Sequence, residues 1–138
     1  MTGKYFLDTN FLVYCFSYDE PEKQQKCLEI LGLADEKLQF ILSAQVLNEF
    51  ATAMIGKFRQ APLEVKTIID DLALFEIVPM DAALLKAAID IHILHQISIW
   101  DSLILSAARS AGCKAILTED LQHNSSMAGV KILNPFLM

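Results

Sequence analysis

The chain has 138 residues, 54% of them hydrophobic, with a formal net charge of −6 and a mean hydropathy of +0.37. This length fits a single domain over residues 1–138, which would bury about two-thirds of its unfolded surface. The acidic balance argues against nucleic-acid binding through bulk charge, and the apolar runs are far shorter than the roughly 18 residues of a transmembrane helix. The apolar content predicts a tightly buried sheet or a sizeable apolar interface.

The cysteines indicate the compartment. Cys15, Cys27 and Cys113 are dispersed and lack metal-binding spacing. An odd, scattered count is typical of buried thiols in a reducing cytoplasm. At the N-terminus, Asp8 interrupts any apolar region after Lys4, so we expect no secretory signal. We therefore predict a cytoplasmic protein.

The chain opens with a strand that ends in polar residues. Tyr5 to Leu7 are apolar or strand-favouring, and they run into Asp8-Thr9-Asn10. Asn10 is the predicted N-cap of a helix that reaches about Ser17. The second helix opens at Asp19-Glu20-Pro21-Glu22, where acids in the first turn and a proline near the first position suit the helix dipole and backbone geometry.

A second strand, two helices and a third strand follow. Leu38 to Leu42 have the composition of a strand, and Ser43 is the predicted cap of a helix that runs to about Phe58. Pro62 starts a fourth helix, and Phe75 to Val78 form a third short strand.

The rest of the chain continues the alternation of helices and strands. Its predicted features are a helix capped by Asp81, a helix from Ser98 to about Ala111 that stops at Gly112, a strand from Cys113 to Leu117, a loop at Asn124 to Ser126, and a last strand from Val130 to Leu133. Such alternation implies parallel βαβ units. The predicted fold is therefore α/β, a three-layer α/β/α sandwich around a central, mostly parallel sheet.

Two predicted strands end in carboxylates. Asp8 follows the first strand, and Thr118-Glu119-Asp120 follows the strand that includes Ala115 to Leu117. Ligands of open α/β sheets bind at the carboxyl ends of the strands, so both acidic ends are candidate ligand positions. The structural alternatives are a capping or turn acid at Asp8 and an ordinary βα turn at residues 118–120.

Two further acids lie on predicted helices. Glu49 falls off the apolar stripe of the third helix, which predicts a solvated position. Its neighbours on that side are uncharged and mostly small, which favours a face that lines a cleft. Asp101 lies in the first turn of the sixth helix, where it could face the same crevice. Its spacing from Ser98 also matches a capping box, so a purely structural role remains an alternative.

Four acidic sites that converge in one small domain would repel one another, and desolvation would increase the cost. A divalent cation removes that penalty. Oxygen-only ligands favour Mg²⁺ or Mn²⁺ over zinc or copper. The sequence therefore predicts a Mg²⁺ or Mn²⁺ site made by Asp8, Glu49, Asp101 and Asp120 or Glu119.

Four stretches, in this order, resemble the PIN-domain family, and specifically its VapC-like toxin branch. They are Asp8-Thr9-Asn10 after the first strand, Ser43 to Phe50, Trp100 to Leu105, and Leu117 to Leu121. The resemblance covers nearly the whole chain. Many relatives carry a further acid just beyond the fourth stretch, where this chain has Gln122-His123-Asn124.

The resemblance implies a metal-dependent endoribonuclease, the toxin of a type II toxin–antitoxin pair, that hydrolyses RNA phosphodiesters with metal-activated water. It assigns Asp8, Glu49, Asp101 and Asp120 to the metal, with Glu119 as a rival for the fourth position. It gives Asn10 and Thr118 supporting polar roles. It also implies an antitoxin partner and a homodimer.

Other interpretations compete with the nuclease. A phosphoacceptor or other non-catalytic signalling or binding domain could use Asp8 to bind Mg²⁺, although Pro79 and Met80 follow the third strand where a receiver domain needs an acid. His92, His95 and His123 show no recognised ligand spacing, so we expect surface or core roles. Trp100 is expected in the core rather than as a platform for a nucleobase.

Overall fold

The computed structural model of the protein describes residues 1–138, which form six strands and six helices. The strands are β1 (Gly3–Leu7), β2 (Leu38–Ser43), β3 (Glu76–Val78), β4 (Ala115–Leu117), β5 (Ser126–Met127) and β6 (Val130–Leu133). The helices are α1 (Thr9–Phe16), α2 (Pro21–Leu31), α3 (Ala44–Gly56), α4 (Pro62–Leu72), α5 (Ala82–His95) and α6 (Ile99–Ser110).

All strands join one sheet, in the order β3-β2-β1-β4-β6-β5. Every pairing is parallel except that of β5 with β6. The predicted α/β fold with a mostly parallel sheet is confirmed. The chain builds outward from β1 through β2 to β3, then returns to place β4 on the other side of β1. The carboxyl ends of β1 and β4 therefore form the switch point, where open α/β sheets bind ligands.

The central strands explain the high apolar content. Tyr5 to Leu7 of β1 and Ala115 to Leu117 of β4 are buried at every successive position. Because successive side chains of a strand point to opposite faces, such a run requires cover on both faces of the sheet. The helices supply that cover and complete the α/β/α layers. All three cysteines are free and buried, as expected.

Side chains cap the helices largely as predicted. Ser43, Asp81 and Ser98 are the N-caps of α3, α5 and α6, and each accepts a hydrogen bond from a backbone N–H of the first turn. The predicted cap of α1 was wrong, because Asp8 rather than Asn10 holds that position. The extended backbone of Asp8 lets its carboxylate accept from the Thr9 N–H, so the helix begins one residue before Asn10.

The segment after β4 contains a strand that the sequence pattern did not predict. Ser126, assigned to a loop, begins the two-residue strand β5, which pairs with β6. Ala128 and Gly129 join the two strands with positive φ angles of 52° and 78°, as a tight hairpin turn requires. A two-residue strand is too short to show the alternation that identifies strands in a sequence.

No single helix is long and apolar enough to cross a membrane; α5 and α6 reach that composition and length only as a pair, bent by 118° at their junction.

Candidate metal centre

A cleft of about 230 Å³ lies at the carboxyl ends of β1 and β4. The start of α1, one side of α3, the start of α6 and the segment after β4 form its walls. Four acids line it, and they are the four predicted as metal ligands: Asp8, Glu49, Asp101 and Asp120. No Lys or Arg lines the cleft, so its side chains carry uncompensated negative charge.

Asp8 is the most enclosed of the four acids. One carboxylate oxygen accepts from the Thr9 N–H at 2.7 Å, and the other accepts from the Thr118 hydroxyl at 2.7 Å. Burial is the main cause that raises the pKa of Asp8 from its ordinary value to about 6, and the charges of Asp120 and Asp101 also raise this pKa. The two hydrogen bonds lower the pKa, but by less than burial raises it. The structure therefore fixes the orientation of this carboxylate and leaves its charge without a cationic partner.

Asp120 is tied to the same network from the other strand. Its backbone N–H donates to the Thr118 hydroxyl at 3.1 Å, and its carboxylate lies 3.4 Å from the Asn10 side-chain nitrogen, which donates to it. Burial and the charges of Glu119 and Asp101 raise the pKa of Asp120. Thr118 thus bonds to both Asp8 and Asp120, which are 112 residues apart, and Asn10 bonds to Asp120.

Glu49 stands at the exposed rim of the cleft. Its carboxylate accepts a hydrogen bond of 2.8 Å from the side-chain amide of Gln45, one turn earlier on α3. Gln45 is only 4% exposed, and its amide also lies 3.4 Å from the Trp100 carbonyl oxygen. This buried glutamine connects α3 to the start of α6 and orients Glu49.

The capping box predicted for Asp101 is only half formed. The Asp101 backbone N–H donates to the Ser98 hydroxyl at 3.0 Å, but the Asp101 carboxylate makes no reciprocal bond to the Ser98 N–H. Capping therefore accounts for the backbone of Asp101 and leaves its carboxylate free to line the cleft.

Glu119 lies outside the cleft, in a separate cluster. Its carboxylate accepts from the Tyr14 hydroxyl and forms a 3.0 Å ion pair with Lys23. Lys23 also stands 4.8 Å from the centre of the Tyr14 ring. The structure thus separates two adjacent acids that the sequence left as rivals, and it places Asp120 at the cleft.

A family model covers most of this arrangement. The model of the PIN domain matches residues 5–125, a span that includes all four cleft acids. The chain belongs to the PIN-domain family. A search of curated proteins found no match.

Solved structures share the PIN fold at low sequence identity. A chain of a toxin–antitoxin complex from Klebsiella pneumoniae matches with a TM-score of 0.72 and 17% identity, over 95% of this chain and 97% of that one. VapC20 from Mycobacterium tuberculosis, described as a sarcin–ricin loop cleaving toxin, matches with a TM-score of 0.67 and 16% identity, over 84% of this chain and 89% of that one. A chain of VapBC2 from Rickettsia felis, bound to a DNA fragment from the promoter, matches with a TM-score of 0.66 and 20% identity, over 94% of this chain and 97% of that one.

The donor atoms of this PIN domain suit a hydrated divalent cation. The carboxylates surround the cleft without meeting at one point, and no three His, Cys, Asp or Glu side chains form a ready-made metal cage. Mg²⁺ retains several of its waters, so carboxylates spaced around a cleft can hold it partly through water. Thr9 lines the same cleft, and its hydroxyl oxygen is buried without a hydrogen-bond partner in the protein. It is a polar atom beside the cleft that the protein itself leaves unsatisfied.

The sequence interpretation misplaced one residue of the cleft. Trp100, expected in the core, is 61% exposed and lines the cleft beside Asp101. Its position in the first turn of α6 was available as a signal, because that turn was already expected to face the crevice. The histidines form no metal group: His123 accepts from the Asn134 N–H, and His92 contacts the Ile97 carbonyl oxygen.

A larger hollow of this PIN domain lies elsewhere, between α5, α6 and the end of β3. It measures about 720 Å³, and its lining includes Asp81, Asp90, His95 and Arg109 among mostly apolar side chains. None of the four predicted metal acids lines it. The smaller acidic cleft is therefore the candidate site.

Proposed function

We propose that the chain is a single PIN domain, over residues 1–138, that acts as a Mg²⁺- or Mn²⁺-dependent endoribonuclease, the toxin of a type II toxin–antitoxin pair in the cytoplasm. The observation that supports this most strongly is the cleft at the switch point of the sheet, lined by four carboxylates and by no cation. The fold shared with VapC20, described as cleaving the sarcin–ricin loop, supports RNA as the substrate.

The residues of the cleft have different roles in this proposal. Asp8, with both oxygens fixed by Thr9 and Thr118, would anchor a divalent ion, and Glu49, Asp101 and Asp120 would complete its surroundings. A divalent ion held there would supply an activated water and positive charge for the phosphate and the leaving oxygen. No protein nucleophile is required, and the buried cysteines offer none.

The phosphoacceptor alternative gains little from the structure. A receiver-type site needs an acid after the third strand, but Pro79 and Met80 follow β3, and β3 lies at the edge of the sheet. The paired acidic ends are instead those of the central strands β1 and β4. This placement favours hydrolysis at the switch point.

The test is cleavage of a mixed pool of structured RNAs by the purified protein in Mg²⁺, in Mn²⁺ and in EDTA. We expect discrete products with either metal and none in EDTA, since EDTA removes the ion that activates water. Cleavage that persists in EDTA would contradict the proposal. Intact RNA in both metals would favour a non-catalytic binding domain.

Asp120 and Glu119 provide a matched pair of neighbouring acids. We expect Asp120→Asn to lower the cleavage rate by about 100-fold, which corresponds to about 3 kcal/mol of lost transition-state stabilisation. Glu119→Gln leaves the rate within about threefold, because Glu119 contacts Lys23 and Tyr14 rather than the cleft. Initial cleavage rates at saturating Mg²⁺ measure both. The reverse order of effects would reassign the fourth acid to Glu119.

The antitoxin and homodimer predictions find support in an exposed apolar face of α5. Leu85, Ile89 and Ile93 recur at every fourth residue on one side of the helix and are between 42% and 67% exposed, an arrangement that is typical of a protein contact surface. We expect wild type to be a dimer by light scattering, and the double substitution Ile89→Lys and Ile93→Lys to be a monomer with the circular-dichroism spectrum of the folded wild type. A wild-type monomer would contradict the homodimer and leave this face to the antitoxin.

A further inference from the structure

A second hollow adjoins the acidic cleft. It measures about 250 Å³, and Asn10 and Ala53 line both the hollow and the cleft. Lys57 and Phe58, just beyond the end of α3, line the second hollow only. The two spaces therefore meet at Asn10 and Ala53, and we call them together the groove, with the acids at one end and Lys57 at the other.

Trp100 lies on the part of the cleft that the second hollow does not reach. It lines the cleft but not the hollow, and its side chain is 61% exposed. The Gln45 amide lies 3.4 Å from the Trp100 carbonyl oxygen and connects this turn of α6 to α3. An exposed indole on a tethered turn, beside acids that would hold a metal, is suited to stack on a nucleobase.

Lys57 supplies the positive charge that the acids lack. It is the only Lys or Arg that lines either space, and no carboxylate lies within ion-pair distance of it. Asp19 and Glu20 also line the hollow and outnumber the lysine, so a phosphate is held there only by direct contact with the Lys57 ammonium group and not by the charge of the hollow as a whole. In a chain with a net charge of −6, a lone lysine at one end of the groove is suited to hold a phosphate of the substrate.

We propose that single-stranded RNA lies along this groove, with one nucleobase stacked on Trp100, the scissile phosphate at the acids and a neighbouring phosphate at Lys57. The inference rests on the proposed nuclease function and names the contacts that position its substrate. Single-stranded RNA fits because the bases of a duplex are already stacked on one another and cannot open onto an indole.

The sole tryptophan of the chain makes the stacking directly measurable. The experiment mixes full-length wild-type protein, in Mg²⁺, with increasing concentrations of a twelve-nucleotide single-stranded RNA of mixed sequence in a stopped-flow instrument and follows Trp100 emission before the strand is cleaved. A matched abasic oligomer carries the same phosphates without bases, and a duplex of the same RNA offers no free base. We expect saturable quenching by the single strand, and little or none by the abasic oligomer or the duplex.

Variants separate the two contacts. With fluorescein-labelled RNA and anisotropy, we expect Trp100→Ala to weaken binding by about 5- to 150-fold, the range for loss of one base–aromatic stack, and Trp100→Phe to restore part of it. Lys57→Ala lowers the slope of log affinity against log salt by about 0.7, the loss of one phosphate contact on a single strand. Lys86→Ala lies on the exposed surface of α5, away from the groove, and is expected to leave the RNA affinity and its salt dependence unchanged.

The outcomes distinguish this inference from the nuclease proposal. Metal-dependent cleavage by wild type without quenching by the single strand overturns the stacking role of Trp100 and leaves the nuclease in place. Quenching without any wild-type cleavage supports the groove as an RNA-binding site and contradicts the nuclease. Emission that shifts with protein concentration alone, before RNA is added, would assign Trp100 to a contact between copies of the chain and overturn the inference.

Discussion

Asp8→Asn lowers RNA cleavage in Mg²⁺ by about a thousandfold, and the variant folds at least as stably as wild type. The loss corresponds to about 4 kcal/mol of transition-state stabilisation, the scale expected when a metal ion loses its anchoring carboxylate. The fold survives because an amide is close to isosteric with the carboxylate. Its oxygen can still accept from the Thr9 N–H, and its nitrogen can donate to the Thr118 hydroxyl.

Single-turnover cleavage of the mixed RNA pool measures this effect, with each protein compared at several Mg²⁺ concentrations. Asp90→Asn is the matched control, since Asp90 is an exposed acid of α5 outside the cleft, and we expect it to cleave at the wild-type rate. Equal cleavage by wild type and Asp8→Asn would point to a contaminating nuclease and remove Asp8 from the site.

The second large effect concerns the stability of the metal-free protein. Burial raises the pKa of Asp8 from an ordinary 3.8 to about 6, so between these values the folded state binds more protons than the unfolded state. The free energy of unfolding therefore falls as pH rises through this window, and the loss is complete above about pH 7. A pKa that is higher by about two in the folded state corresponds to a loss of about 3 kcal/mol. The raised pKa of Asp120 acts in the same direction.

Urea unfolding in EDTA at a series of pH values from 4 to 8 measures this dependence. Across the window, we expect the free energy of unfolding to fall by about 3 kcal/mol more for wild type than for Asp8→Asn. The free energies of the two proteins should converge near pH 4, where Asp8 is protonated in the folded state. Adding Mg²⁺ at pH 7 is then expected to stabilise wild type and not Asp8→Asn. A ligand stabilises a folded protein only if that protein binds it, and Asp8→Asn lacks the carboxylate expected to anchor the ion. Parallel pH profiles for the two proteins would show that ionised Asp8 costs the fold nothing.

The two effects have one physical origin. Asp8 is held in an enclosed position at the end of a buried strand, next to the charges of Asp120 and Asp101 and without a cation. That arrangement costs stability in the free protein and favours a bound divalent ion. The same carboxylate is thus expected to be the most costly to the metal-free fold and the most important to cleavage.

Local signals in the sequence were sufficient for most of the fold. Ser43, Asp81 and Ser98 cap helices through bonds to residues within the next turn, and prolines begin α2 and α4. The exceptions were also local in scale. The N-cap of α1 is Asp8 and not the predicted Asn10, because each of these nearby polar residues is able to cap a helix. The strand β5 was missed because two residues are too few to form a pattern.

The amino-acid pattern alone was enough to establish the alternation of strands and helices, the acids at the ends of two buried strands, and the resemblance to the PIN-domain family that the family model bears out. Which of those acids share a cleft depends instead on tertiary contacts. Pairing of β1 with β4 brings Thr118 to Asp8, while the Lys23 ion pair holds Glu119 away and leaves Asp120 at the site. The physical reason is range: capping and periodicity act within about four residues, whereas these contacts span about a hundred.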